Sequence, residues 1–314
     1  MSTIRIVFLG TSAAVPQKDR FLSSIALQRE TGEIFLFDCG EGTQYQMMRF
    51  NINFQKITKI FFSHLHGDHV FGIFGLLNTM NLMERTKELT IYGPIGTRNF
   101  FEGTMSTQEN FGFKYPIDIQ EIEEGLVCED DDYRIISKRV MHSVYTVAYA
   151  FIEKDRLGRF NKEKAIELNV KQGRKWQELQ KGKSVLSEDN KVIVPEMVLG
   201  PSRRGFKIVI AIDGLYVEEE FAPFAKEADV LIMEATFGDE HIANAKERMH
   251  STARWSARIA KKADAKRLFL THISPRFKDD NSLEMQAKEE FTEAIIAHDG
   301  LEINLNRKDL EEEK

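Results

Sequence analysis

What this chain has little of already closes several classes of function. Only two cysteines occur, Cys39 and Cys128, far apart and in no zinc spacing, so neither a disulfide framework nor a thiolate metal site is available. Both read as reduced, packed thiols. No apolar run approaches the length of a membrane span, and Ile4-Arg5-Ile6-Val7-Phe8-Leu9 is too short and wrongly flanked for a signal peptide. The expected compartment is the cytoplasm, without membrane contact. Positive charge is also in deficit, with 43 Lys and Arg against 49 Asp and Glu and a formal charge of -6, so the whole-chain average points to neither nucleic acid nor membrane. The 314 residues are 42% hydrophobic and 29% charged, which fits a globular α/β protein with a large core, in one domain or two smaller ones.

What is present is a dense run of metal-ligating side chains, Ser63-His64-Leu65-His66-Gly67-Asp68-His69. It follows directly on the apolar Lys59-Ile60-Phe61-Phe62, which reads as a buried strand, and precedes Val70 to Met83, whose apolar spacing predicts a helix. Gly67 permits the sharp turn between them. Buried imidazoles and carboxylates need partners, and the H-x-H-x-D-H spacing is among the more specific metal signals a short stretch can carry. Nitrogen and carboxylate ligands without cysteine suit zinc, with manganese or iron as the other metals they accept. His64 and His66 precede the turn while Asp68 and His69 follow it, an arrangement that invites two metals roughly 3.5–4 Å apart.

The same signature recurs along the chain. Tyr133 to Val140 is a predicted strand ending at His142, Lys207 to Ile212 one ending at Asp213, and Lys266 to Thr271 one ending at His272. Each alone is weak, since a histidine at a strand end is commonly a capping residue. Together with His64 they make four functional groups at the carboxyl ends of strands, where α/β sheets place their sites. Earlier in the chain, Ile4 to Leu9 reads as a strand, and Ser24 to Gln28 and Glu33 to Phe37 as a hairpin turned at Thr31-Gly32. Gln44 to Phe50 and Gly96 to Thr104 read as helices, and Leu89 to Tyr92 as a strand followed by a turn at Gly93-Pro94. Asp38 is expected either to support the metal site from outside the ligand shell or to cap a turn. Charge is uneven as well. From Glu153 to Lys207 there are fourteen Lys and Arg against eight Asp and Glu, a balance of +6, so the remainder carries 29 basic against 41 acidic residues.

These residues resemble the metallo-β-lactamase superfamily and, within it, the ribonuclease Z family of transfer RNA 3′-processing endonucleases. The resemblance covers nearly the whole chain. It rests on Phe8-Leu9-Gly10-Thr11-Ser12, Asp38 to Gln44, Ser63 to His69, Glu234-Ala235-Thr236-Phe237, His250-Ser251-Thr252-Ala253 and Leu270-Thr271-His272-Ile273-Ser274. It implies an αββα four-layer sandwich in one domain, 1–314, from which an inserted basic exosite arm at about 153–205 protrudes to grip transfer RNA. It implies one zinc on His64, His66 and His142, a second on Asp68, His69 and His272, and Asp213 between them. Asp68 would orient the attacking water, and His250, backed by Glu234, would protonate the leaving oxygen. The substrate would be precursor transfer RNA cut just after the discriminator position, leaving a 3′-hydroxyl and a trailer 5′-phosphate, and the enzyme a homodimer.

Lys18 and Arg20 lie in a Pro16 to Arg20 stretch that follows the family's P-x-K-x-R pattern, implying contact with the RNA end. Arg174 and Lys175 fall where the family's arm usually carries a Gly-Pro pair, and are assigned to RNA binding. Other departures are Phe21 for asparagine, Met233 for histidine, and Gly214 for the threonine usual after the bridging aspartate, a change expected to loosen Asp213 slightly. Another hydrolase of this fold, acting on small phosphodiesters, sulfates or lactones, would share the ligands but not the basic insertion. A transfer-RNA-binding homologue without catalysis is the alternative that Met233 and the altered arm suggest. For the insertion, a solvated basic helix pair with no ligand is the plain structural alternative.

Overall fold

Side chains alternate along β1 (Ile4–Gly10), and the alternation sets up two buried faces. Val7 and Leu9 join one hydrophobic cluster, whereas Phe8 meets Phe269 with ring centroids 6.1 Å apart. In this computed structural model, which describes residues 4–105 and 112–307, β1 lies near one edge of a seven-stranded mixed sheet. Its other strands are β2 (Ser24–Arg29), β3 (Ile34–Phe37), β4 (Ile57–Phe61), β5 (Leu89–Pro94), β6 (Ile117–Ile122) and β16 (Glu302–Leu305), in the order β16-β1-β2-β3-β4-β5-β6. The pairings from β16 to β3 are antiparallel and those from β3 to β6 parallel. The acidic stretch Asp309 to Lys314, expected to be disordered, lies outside the described residues.

The second seven-stranded sheet runs β15-β14-β13-β12-β9-β8-β7. It comprises β7 (Gly125–Glu129), β8 (Tyr133–Val140), β9 (Thr146–Glu153), β12 (Lys207–Ala211), β13 (Val230–Glu234), β14 (Leu268–Thr271) and β15 (Ala294–Ile296). Strands β12 to β15 are parallel. The two sheets face each other through aromatic side chains: Phe61 packs on Tyr149 at 5.4 Å and Phe35 on Phe151 at 6.1 Å. The Tyr149 hydroxyl donates to the Phe62 carbonyl at 2.6 Å, so this buried polar atom is satisfied.

Helices cover the outer faces. On the first sheet, α1 (Thr43–Arg49), α3 (Ile73–Leu82) and α4 (Thr97–Met105) contribute Met47, Leu76, Leu77, Met80 and Phe101 to the cluster that holds Val7 and Leu9. On the second, α9 (Ala253–Lys262) lies over β13 and β14 and packs against α7 (Glu218–Ala225) and α10 (Asn281–Lys288). Thr252 caps α9, accepting from the Trp255 amide at 3.2 Å. The short α8 (Ile242–Glu247) leads to His250. The layering is helix, sheet, sheet, helix.

Two local readings need correction. The helix expected over 70–83 is broken into α2 (Gly67–Val70) and α3. The Cys39 amide donates to the His69 carbonyl at 2.7 Å and the Cys39 carbonyl accepts from the Gly72 amide at 2.9 Å, which pins this turn to the end of β3. A Cβ on Gly72 would stand 2.1 Å from the Gly40 carbonyl oxygen, so the close approach requires glycine there. Burial pushes the Cys39 thiol up to about 12, consistent with a packing role. Gly93-Pro94, read as a turn, instead continues β5, paired with Glu121 and Ile122 of β6.

The chain divides into two units, Met1–Glu129 with Arg134–Phe151 and Lys207–Lys314, and Asp130–Tyr133 with Ile152–Phe206. The second unit holds α5 (Lys162–Glu167), α6 (Arg174–Gln180) and the small hairpin β10 (Val185–Leu186) with β11 (Val192–Ile193). Its own core gathers Ala165, Val170, Trp176, Leu179 and Ile193, and Trp176 Nε1 donates to the Val170 carbonyl at 2.9 Å.

Candidate active site

Strand ends deliver the ligating side chains. β4 leads into the Ser63–His69 turn, β8 into His142, β12 into Asp213 and β14 into His272. His64, His69, Asp213 and His272 are buried, and Asp213 lies at the centre. Its Oδ2 is 3.6 Å from His64 Nε2, 3.6 Å from His69 Nε2 and 3.8 Å from His142 Nε2. Asp68 Oδ2 is 3.5 Å from His69 Nε2 and 3.6 Å from His272 Nε2. His66 Nδ1 sits 2.9 Å from His64 Nε2. Among the described residues three overlapping ligand groups result: His64, His66, His142 and Asp213; Asp68, His69 and His272; and Asp213, His250 and His272.

The rings are aimed by a surrounding set of hydrogen bonds. Asp38 accepts from Ser63 N at 2.7 Å, from Ser63 Oγ at 2.9 Å and from His69 Nδ1 at 2.7 Å, so it supports the site from outside the ligand group. Because the Ser63 hydroxyl spends its one proton on Asp38, it must accept from His64 Nδ1 at 2.9 Å. The Thr236 hydroxyl likewise donates to the His272 carbonyl at 3.0 Å and accepts from His272 Nδ1 at 2.9 Å. His142 Nδ1 donates to the Met249 carbonyl at 3.1 Å. In all four rings Nδ1 carries a proton and Nε2 is turned inward. At His69 and His272 burial pulls down, but the Asp213 carboxylate more than offsets it and lifts both imidazoles above the ordinary value, so a metal there would displace an Nε2 proton.

This donor set fits a metal. His69 Nε2 and His272 Nε2 are buried without a hydrogen-bond partner among the described residues, a costly state that a cation would relieve. The nitrogen–oxygen separations also approach the edge of roughly 3.3 Å for a tetrahedron whose ligands stand 2.0–2.1 Å from a zinc ion. Burial drives His64 well below the ordinary imidazole value, which keeps it neutral as a ligand must be. Burial alone would raise Asp213, but His272 and His69 hold its carboxyl well below the usual carboxylate range.

His250 stands at the edge of the same cleft, about 200 Å³ in volume, which Ala14, Phe237, Arg248 and Arg276 also line. Its Nδ1 is 3.1 Å from Glu234 Oε2, and Glu234 is fully buried at the end of β13. Burial pushes His250 down, but the Glu234 carboxylate more than offsets this and leaves the imidazole above its ordinary value. Glu234 also accepts from the Gly214 amide at 2.6 Å, and the Gly214 carbonyl accepts from Ser251 Oγ at 2.9 Å. Gly214, expected to loosen Asp213 slightly, has its own backbone tethered on both sides, and Met233 is simply core of β13.

The substrate-binding residues expected from the sequence are placed differently from one another. Lys18 is exposed. Arg20, expected at the RNA end, is instead an internal brace: its guanidinium donates to Thr11 Oγ1 at 2.5 Å and to the Ala297 carbonyl at 2.7 Å, and pairs with Asp280. In the second unit Arg174 is largely exposed beside Glu178, and Lys175 pairs with Glu188 at 2.7 Å. Sequence reading missed the Met249 carbonyl and Ala14, whose amide donates to Asp68 Oδ2 at 2.9 Å. Backbone groups leave no signature in a side-chain pattern.

Comparison with known proteins adds four findings. A family profile described as Anti-Pycsar protein Apyc1 matches residues 4–157. A ribonuclease Z of Nitrosopumilus maritimus is 42% identical over 302 residues, 96% of this chain and 100% of the relative. Among solved structures, human tRNase Z, short form, superposes with a TM-score of 0.70 at 29% identity, over 96% of this chain and 99% of that one. The metallo-β-lactamase fold protein YhfI from Bacillus subtilis superposes at 0.68 and 18% identity, over 96% and 99%, and establishes the fold.

Proposed function

The chain belongs to the ribonuclease Z family, and on that premise we propose that it removes the 3′ trailer of precursor transfer RNA by hydrolysing one phosphodiester bond after the discriminator position. The products would be a transfer RNA 3′-hydroxyl and a trailer 5′-phosphate. The observation that carries this reading is the likeness over nearly the full length of both chains. We assign two zinc ions to the ligand groups, one on His64, His66 and His142, the other on Asp68, His69 and His272, with Asp213 shared; manganese or iron suits the same donors. Bound there, the metals supply Lewis acidity at the phosphate and a water of lowered pKa.

The chain's own groups do the rest. The Asp68 carboxylate, fixed by the Ala14 amide, orients the attacking water or accepts its proton. His250, held through Nδ1 on Glu234, keeps Nε2 free to give a proton to the departing 3′-oxygen. Lys18 contacts the RNA near the cut, and Arg174 and Lys175 contact phosphates from the basic insertion, which acts as the exosite arm. No helix among the described residues is long and apolar enough to cross a membrane, and the cytoplasm is the proposed place of action.

The test is cleavage of a precursor transfer RNA bearing a 3′ trailer. Metal-replete wild type is expected to cut at the discriminator and Asp68→Ala to lose cleavage. Arg174→Ala with Lys175→Ala is expected to raise KM and to lower the salt slope by about 0.7–0.9 for each phosphate contact removed. Failure of the wild type to cut would overturn the reading in favour of small diesters or sulfates. The proposed homodimer, with each arm serving the other subunit, is tested by mixing inactive Asp68→Ala with the Arg174/Lys175 double variant. If arms act across the dimer, an equal mixture should recover about a quarter of wild-type activity under subsaturating substrate, from heterodimers with one intact pair of site and arm. Arms that serve their own subunit would give no recovery beyond the double variant's own activity.

A further inference from the structure

Asp299 is a partly buried acid that the hydrolytic scheme leaves unused, yet it gathers three segments of the first unit. Its Oδ1 accepts from Thr11 Oγ1 at 2.7 Å, and its Oδ2 accepts from the Phe21 amide at 2.7 Å and from Gln46 Nε2 at 2.9 Å. Thr11 and Phe21 are the two feet of the loop that leaves β1 and returns toward β2, and Gln46 lies on α1. One carboxylate therefore closes the loop at its base and ties it to a helix.

The far end of the loop reaches the cleft. Ala14 holds a left-handed φ of 62°, and its amide donates to Asp68 Oδ2 at 2.9 Å. Between base and tip the loop runs beside the His272 strand end: Ala13 donates to the Ile273 carbonyl at 3.0 Å and Ile273 to the Thr11 carbonyl at 2.8 Å. Arg20 reinforces the base, since Thr11 Oγ1 receives its guanidinium while donating to Asp299.

We propose that Asp299 is a positioning residue for the hydrolytic centre, a latch that holds the 11–21 loop in place so that the Ala14 amide aims the Asp68 carboxylate. An alanine in the left-handed region is mildly unfavourable and persists only where its surroundings hold it there. Released from Asp299, the loop can relax that residue and withdraw the amide. The catalytic consequence rests on the role proposed for Asp68 above; the mechanical one does not.

The experiment is Asp299→Ala in the metal-replete full chain. Alanine removes every acceptor that Thr11, Phe21 and Gln46 use, so both feet of the loop are freed, whereas asparagine could keep them by donating Nδ2–H to Thr11 Oγ1 while its Oδ1 accepts from Phe21 and Gln46. Amide hydrogen exchange across 12–21 is expected to quicken at least about tenfold, with β4 unchanged. Turnover of both precursor transfer RNA and bis(p-nitrophenyl) phosphate is expected to fall about 10- to 100-fold with KM within about twofold, the scale of a small misplacement at a reacting centre. Exchange across 12–21 within twofold of wild type overturns the latch, and so does a loosened loop with unaltered kcat. If the wild type cuts no transfer RNA, the ribonuclease reading fails while exchange and the small diester still decide on Asp299. Should Asp299→Ala not fold, Thr11→Val removes one foot with little change of volume and is read in the same way.

Discussion

Asp213→Ala is expected to strip the site of metal and to lower cleavage of precursor transfer RNA by at least about 10³-fold. Its carboxylate lies within 3.6–3.8 Å of His64, His69 and His142, so one side chain belongs to the surroundings of both groups assigned to zinc. Without it each of the two proposed metals would lose an anionic ligand, and the imidazoles would lose the charge that balances them. A buried ion pair broken by removal of one partner typically costs on the order of 3–5 kcal/mol, so the metal-free variant should also melt earlier than metal-free wild type. Metal content by mass spectrometry and melting by calorimetry read the two effects separately. Asp213→Asn keeps the shape but not the charge and should resemble alanine in metal content. A variant that retained two metals and wild-type turnover would remove Asp213 from the shared position.

His250→Ala is expected to slow RNA cleavage by about 10²–10⁴-fold, the usual range for a positioned general acid, while leaving metal content unchanged. The leaving 3′-oxygen of RNA is a poor leaving group unless it is protonated as the bond breaks. With bis(p-nitrophenyl) phosphate the departing p-nitrophenolate is stable as an anion, so the same substitution should cost only a few-fold. Glu234→Gln should fall between, because the glutamine still receives the Gly214 amide but supplies no charge to His250 Nδ1. An equal loss on both substrates would place His250 in metal or phosphate binding rather than proton transfer.

Much of the site is legible in the order of the residues. His64, His66, Asp68 and His69 lie within six residues, and His142, Asp213 and His272 each follow an apolar run, so local pattern is enough to collect them. Strands such as β13 escape, because Val230-Leu231-Ile232-Met233 is a short apolar run with no histidine or aspartate close after it to single it out, unlike β4, β12 and β14. The helix break at Phe71-Gly72 escapes for another reason. It is imposed by Cys39 and Gly40, some thirty residues earlier, and not by anything within the helix. Arg20 shows the opposite error: a basic residue in a family loop pattern suggests RNA, yet Thr11, Ala297 and Asp280 claim its guanidinium.

The sequence by itself determined the ligand types, their placement at strand ends, the basic insertion and the family. These are properties of neighbouring residues, and neighbours set local conformation and local charge. Only the tertiary structure decided what aims those ligands: Asp38 on His69, Thr236 on His272, the Met249 carbonyl on His142, the Ala14 amide on Asp68 and Asp299 beneath the loop. Those partners stand from about thirty to nearly three hundred residues apart in the chain. They meet because two sheets stack face to face and bring strand ends together, and hydrogen bonds made across such a distance leave no periodic trace along the chain.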